Sequence, residues 1–341
     1  MKTICLCIIL MISGISSAWA TDLSANSDSS AISEFPLTND EIRIRDPFIL
    51  VDREKETYYM YAQAGNRSGS GYKGVEVYIG KDLKNWSQPI PVLVLPKTMN
   101  VRMVWAPEVH YYNNAYYLFV TLTFSDKVET PAPVEGDWPP MFRRGTWIFK
   151  SESPVGPFHS LKSESHTPSD QMALDGTLWV EKGIPYMIYC HEWVQLIDGV
   201  ISYIPLKNDL SDINGEPQKI LNASSAPGAI QAENQGKVTD GPFLYKSPQS
   251  GNLYMIWSTF LMGGRDYAVL LTRSESGRID GPWTISKPIF TQHGGHGMIF
   301  ESLDGKLFLA LHQPNSGAPE RFRALELIDD GETLRLSDPI K

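Results

Sequence analysis

The most constraining feature of this 341-residue chain is a unit that it repeats five times. Each copy opens on a short turn bearing an acidic residue or a histidine. It then runs through an apolar stretch, a polar turn and a second stretch rich in Tyr, Leu and Met. The copies read RDPFILVDREKETYYMYAQ from Arg45, WAPEVHYYNNAYYLFVT from Trp105, LDGTLWVEKGIPYMIYC from Leu174, TDGPFLYKSPQSGNLYMIW from Thr239 and GGHGMIFESLDGKLFLALH from Gly294. Aligned on Asp46, Pro107, Asp175, Asp240 and His296, they recur every 56 to 68 residues. A period of this size with strand pairs in every unit predicts an all-β, single-domain, five-bladed β-propeller. The polar residue opening each copy then sits near the central channel.

A second strand pair follows each opening pair, as in VEVYIGKDLKNW from Val75 and YAVLLTRSESGRIDGPW from Tyr267. The alternation of apolar positions predicts strands with one face buried. Gly156-Pro157 and Gly281-Pro282 mark turns between third and fourth strands. No helical pattern exceeds two turns. The segment Ile42–Ile44 and the last strand, Arg323–Leu336, are expected to close the ring against one another and so remove exposed edges. Two insertions break the rhythm. Asp126–Arg144, with four prolines and Trp138, is expected to wall a cleft, and Gln218–Lys237 receives no role.

The N-terminus reads as a secretory signal. Lys2 precedes an apolar run from Ile4 to Ile15, and Ala18-Trp19-Ala20 has the small-x-small form of a cleavage site. The expected organisation is therefore a signal peptide over 1–20, an extension over 21–40 and the propeller over 41–341, in a periplasmic or secreted protein with no membrane anchor. Cleavage leaves Cys190 as the sole cysteine, expected to be a small buried apolar residue. A net charge of −9 argues against nucleic acid and anionic membranes as partners.

The blade openers carry the chemistry. An Asp before Pro or Gly is ordinarily a turn former. Three of them converging on a narrow channel, Asp46, Asp175 and Asp240, repel one another and lose solvation, which drives their pKa values apart. Split carboxylates are what glycosidic hydrolysis uses, one donating a proton while another activates water.

Taken together, Arg-Asp-Pro, Trp-Ala-Pro-Glu, Leu-Asp-Gly, Asp-Gly-Pro-Phe and Gly-His-Gly at blade spacing resemble glycoside hydrolase family 43. That family comprises five-bladed propellers acting on arabinose-, xylose- and sometimes galactose-containing glycans, and the resemblance spans Arg45 to Leu336. It implies an inverting hydrolase of a carbohydrate, an α-L-arabinofuranoside or β-xyloside, with Asp46 as general base and Asp175 as the carboxylate that tunes and orients the acid. The chain departs from the family at the acid itself. The usual Glu is replaced by Asp240, which reaches about 1.5 Å less far. Three readings stay open: Asp240 as acid, Glu192 of His191-Glu192-Trp193 as acid, or a propeller that binds glycans without cleaving them. Glu108 reads as ion-paired or solvated. The resemblance also places His296 in the channel, where some members hold calcium through a histidine and waters; no cofactor is otherwise required. For the sugar, Trp105, Trp193 and Phe48 are candidate stacking faces. Arg321 is the preferred donor among Arg45, Arg321 and Arg323.

Overall fold

Five sheets form, one per repeat, and each runs outward from the strand that opens its repeat. The computed structural model describes residues 34–337, apart from 66, 129–132, 134–137, 230–235 and 262–265. The expected signal segment and most of the N-terminal extension lie outside the described residues. Among the described residues no helix is long and apolar enough to cross a membrane.

Blade one stacks Phe48–Asp52, Thr57–Ala64, Gly74–Gly80 and Ile90–Val94, with Leu37–Thr38 and Asn85–Trp86 paired beside them. Blade two stacks Val101–Tyr112, Ala115–Lys127, Phe142–Ser151 and His159–Ser160. Blade three runs through Ala173–Glu181, Ile184–His191, Val200–Pro205 and Gln218–Asn222. Blade four comprises Asp240–Lys246, Leu253–Leu261, Asp266–Ser274 and Trp283–Ile285. Blade five comprises Gly295–Glu301, Leu307–Gln313, Arg321–Asp329 and Leu334–Leu336. The five opening strands touch one another in a closed cycle, which makes them the innermost. The Gly-Pro turns fall between third and fourth strands of blades two and four, as expected. The one α-helix among the described residues is Trp193–Leu196.

The core is a set of wedges between neighbouring blades. Tyr117, Phe119 and Ile148 of blade two meet Met187, Tyr189 and Ile204 of blade three. Ile188, Cys190 and Ile201 meet Met255, Trp257 and Leu270 of blade four. Tyr254, Ile256 and Val269 meet Leu309, Leu311 and Leu327 of blade five. Cys190 is thus a core residue, free and fully buried. Each such aliphatic or aromatic side chain contributes roughly 1.5–3 kcal/mol by leaving water. This sandwiching corrects the expectation of one-sided strands. The second strand of blade two, Ala115–Lys127, and the third of blade one, Gly74–Gly80, are buried on both faces over most of their length, because a neighbouring blade covers each side.

Both insertions prove partly regular. Asp126 and Lys127 end one strand and Phe142 opens the next, while Gln218–Asn222 is the outer strand of blade three. Ring closure also differs from expectation. Blade five is built wholly from C-terminal residues, and Ile42–Ile44 adds no strand to it. Instead the Ile44 N–H donates to the Glu320 carbonyl at 3.4 Å, and the Leu303 N–H donates to the Tyr58 hydroxyl at 2.8 Å. The Glu320 carboxylate, 1% exposed as a residue, grips Arg43, Arg45 and Arg67 at 3.2–3.3 Å. Side chains close this ring where strand addition was expected. Removing that buried charge leaves three guanidinium groups facing each other, so Glu320→Gln should lower unfolding free energy by about 3 kcal/mol in urea titration. An unchanged midpoint would mean that closure rests on apolar packing alone.

Candidate active site

The five inner strands share one backbone device. Each carries a residue with positive φ at its head: Asp46 (51°), Ala106 (43°), Asp175 (58°), Gly241 (51°) and His296 (50°). Pairing registers shift across this point in blades two to five, as β-bulges do. For a residue other than glycine this conformation costs on the order of 1–3 kcal/mol. The device corrects the alignment of the repeats, because Ala106 and Gly241, one residue from Pro107 and Asp240, are the true equivalents of Asp46. Asp240 therefore matches Arg45, Trp105 and Leu174, and all four line one cavity of about 810 Å³. Asp46, Asp175 and His296 line the same cavity, as do Glu192, Trp193, Arg67, His293 and Asn315.

At its floor His296 Nδ1 lies 3.4 Å from Asp46 Oδ1 and 3.7 Å from Asp175 Oδ2. Burial alone would lower the imidazole pKa, but Asp46, Asp175, Asp240 and Glu108 override it, so the ring holds its proton above the usual range. The His296 N–H donates to Ser258 Oγ at 2.8 Å, which fixes the backbone. Asp46 is also buried, which by itself raises its pKa. His296, Arg45 and Arg67 outweigh that and hold it below the ordinary value. The Asp46 N–H donates to His312 Nδ1 at 3.3 Å, and His312 Nε2 faces Asn315 Oδ1 at 3.0 Å. Burial drives the His312 pKa down to about 3. Its Nδ1 therefore meets Asp46 Oδ1, also at 3.3 Å, without a proton between them. That buried oxygen has no hydrogen-bond donor among the described residues.

Asp175 and Asp240 move the other way. Burial, with the neighbouring charges of Asp240 and Asp46, pushes Asp175 up to about 7 despite His296. Asp240 is likewise raised by burial and by Asp46, against His296, Arg45 and the Tyr267 hydroxyl that donates to it at 2.8 Å. The Asp175 N–H donates to Thr121 Oγ1 at 2.8 Å, and Asp175 Oδ2 accepts the Gly241 N–H at 3.1 Å. This approach needs a glycine, since a Cβ at Gly241 would stand 2.8 Å from the His296 ring. The two carboxyls are thus tied through the backbone and share a raised titration.

Glu192 lies on the cavity wall, ion-paired with Arg144, whose guanidinium stacks 4.4 Å over Trp105 and donates to Thr123 Oγ1. Burial raises the Glu192 pKa and Arg144 opposes it. Trp193 also lines the cavity and meets Trp138 edge-on at 5.6 Å, so the described part of the proline-rich insertion does back the wall. Phe48 does not join it. Its ring is buried between His110 and Phe243, as a core residue beneath the site. Arg321 is likewise displaced, donating to the carbonyls of Asp40, Ala318 and Glu320 outside the cavity. Glu108 is buried with its carboxylate 3.0 Å from His110 Nε2, within hydrogen-bond distance. For a calcium ion the fit is poor. Among the described residues no group of three His, Cys, Asp or Glu side chains is arranged to hold a metal ion, and His296 offers one protonated nitrogen where calcium prefers several oxygens.

Sequence reasoning missed Tyr267, His312, Arg67 and Arg144. His312 pairs with Gly295 as Cys190 pairs with Leu174, each opposite the residue before a left-handed opener, so residue type at that position gave no signal.

The family model described as Glycosyl hydrolases family 43 matches residues 41–328. This chain belongs to that family. The solved endo-arabinase of Bacteroides thetaiotaomicron is similar at 35% identity and a TM-score of 0.75, over 88% of this chain and 99% of that one. A probable arabinan endo-1,5-α-L-arabinosidase C from Aspergillus niger is 24% identical over 68% of this chain, and the match spans 66% of that relative's length. An endo-1,4-β-xylanase structure from Bacteroides thetaiotaomicron, 22% identical with a TM-score of 0.68 over 89% of this chain and 96% of that one, shares the fold. In this family-43 propeller the Glu192–Arg144 pair is buried on both sides. Arg144→Ala should therefore cost about 3 kcal/mol, and the double variant Arg144→Ala/Glu192→Ala distinctly less than the two singles together. Strict additivity in chemical denaturation would show that the pair contributes no coupling.

Proposed function

We propose that this protein hydrolyses internal α-1,5 bonds of arabinan with inversion at the anomeric carbon. The observation that carries the reading is a depressed carboxyl, Asp46, and a raised pair, Asp175 and Asp240, on one cavity. Family membership and the arabinan-directed names of two relatives support the substrate.

The steps follow from the residues. A water held against the Asp46 carboxylate, which lines the cavity, gives up a proton to it as its oxygen bonds to the anomeric carbon. The glycosidic C–O bond breaks, and Asp240 delivers its proton to the departing oxygen. Solvent exchange resets both groups. Asp175 positions the acid by holding the Gly241 amide, while burial and the Asp46 charge keep the proton on Asp240. His296, positively charged, keeps Asp46 ionised beside that pair. Glu192, although burial raises its pKa, is assigned to the wall and not to proton transfer because its carboxylate is held in contact by the buried Arg144 guanidinium. With Trp105 and Trp193 it forms a wall for the sugar. Asp240 reaches the cavity lining from the residue before the bulge of blade four.

Loss of the acid is separable from loss of the wall. Asp240→Asn should cut turnover of arabinan 10²–10⁴-fold, a range typical of general acid catalysis. It should cost far less on an arabinobioside bearing a dinitrophenyl leaving group, which needs no protonation. Glu192→Gln should affect both substrates alike. The reverse pattern would assign the acid to Glu192, and a parent protein that binds arabinan without turnover would support the glycan-binding reading.

The pH profile follows from the shifts. The base limb, set by Asp46, should fall below the ordinary aspartate range, so activity persists into mild acid. The acid must stay protonated, so the alkaline limb follows the raised Asp175–Asp240 pair. Asp175→Asn removes the like charge and should move that limb to lower pH; a limb that stays in place would contradict the coupling. Export is part of the proposal, and Edman sequencing of protein secreted from an expressing bacterium should begin at Thr21.

A further inference from the structure

The cavity wall made by blades one and five has a charge of opposite sign to the chain as a whole. In a protein of net charge −9, Arg43, Arg45 and Arg67 converge on the single carboxylate of Glu320. Asp46 Oδ1, 3.6 Å from Arg45 Nε, is the second anion there, which leaves one positive charge unbalanced on this wall. Arg45 is engaged fully, since it also donates to the Asn315 carbonyl at 2.9 Å. Arg43 is the most exposed of the three and does not line the cavity. Arg67 lines it, with its side chain 22% exposed. Its contact among the described residues is one edge, Nε to Glu320 Oε2 at 3.2 Å. Burial lowers its pKa more than Glu320 and Asp46 raise it, the mark of a guanidinium short of anions.

Other donors stand beside it. Asn315 is buried and gives its amide oxygen to His312, so its NH₂ group is left to donate. Ser316 lines the same wall, and His293 Nδ1 is buried without a partner. An Arg edge next to amide and hydroxyl donors matches a planar carboxylate, which a guanidinium takes through two parallel hydrogen bonds. A neutral pentose would leave that charge uncompensated. Asp46 lies close enough to feel Arg67, so the subsite borders the reacting centre.

We propose that Arg67, with Asn315 and Ser316, forms a carboxylate-binding subsite that takes a uronic acid carried as a side branch on an arabinose beside the bond being cleaved. This rests on the reading of the cavity as a saccharide site and adds the class of sugar recognised next to the arabinose.

Calorimetry with free D-galacturonate and uncharged D-galactose tests it on the whole protein, without relying on turnover. Galacturonate should bind at least about tenfold more tightly, a difference near 1.4 kcal/mol. Added salt should erode that advantage and leave galactose binding unmoved. Arg67→Met should abolish the preference, and Arg67→Lys, which keeps the charge and loses the fork, should retain part of it. Equal binding of the two sugars by the parent protein overturns the proposal whatever the variants do, as does a preference that survives Arg67→Met. Arabinan cleavage without a galacturonate preference refutes this subsite and leaves the hydrolase reading intact. A preference without cleavage supports the subsite and counts against that reading.

Discussion

One imidazole nitrogen, 3.4 Å from Asp46 and 3.7 Å from Asp175, lets three carboxyl groups occupy a buried cavity together. Without a cation there, desolvation and mutual repulsion would drive all three toward the neutral acid, and none would serve as a base. The fold supplies the cation through the same device that supplies two of the carboxyls, a left-handed residue at the head of an inner strand. Five blades present five such positions. Asp46, Asp175 and His296 use theirs for charge, Gly241 uses its own for close approach, and Ala106 leaves its position without a polar group.

Much of this was legible in the chain. Repetition set the blade number, because five similar strand-rich units closed in a ring give every blade a neighbour on both sides. The aspartates and histidine could be picked out since turn chemistry alone does not require them at every repeat. Their alignment failed by one residue in two blades, because Pro107 and Asp240 look like openers whereas the bulge lies beside them. That single step separates a residue in the left-handed position from one preceding it, and it explains why Asp240 is governed by Tyr267 as well as by its fellow carboxylates. Phe48 and Arg321 were misjudged for a related reason. Residue type and strand-end location do not reveal which side of a blade a side chain takes, and each has a partner far along the chain, Phe243 for Phe48 and Asp40 for Arg321.

Closure of the ring links stability to recognition. Blade one and blade five meet without a shared strand; Tyr58 packs on Phe300 and Trp86 on Phe322 across their junction, and Glu320 with the three arginines it holds clasps it. The junction is also a cavity wall. A carboxylate that clasps the ring thereby orients Arg45 toward Asp46 and leaves an edge of Arg67 free, so one buried charge serves packing and chemistry together. The opposite wall is aromatic, with Trp105 under Arg144 and Trp193 against Trp138. A chain threaded between them meets a flat apolar face on one side and donors on the other, the usual division of labour in sugar binding.

The central claim is a split of carboxyl acidity inside one cavity. Carboxyl carbon NMR of ¹³C-labelled aspartate, assigned with single Asp→Asn variants, measures it directly. Asp46 should titrate below the ordinary aspartate value, while Asp175 and Asp240 should titrate above it in coupled steps. Three independent transitions near the ordinary value would contradict the account.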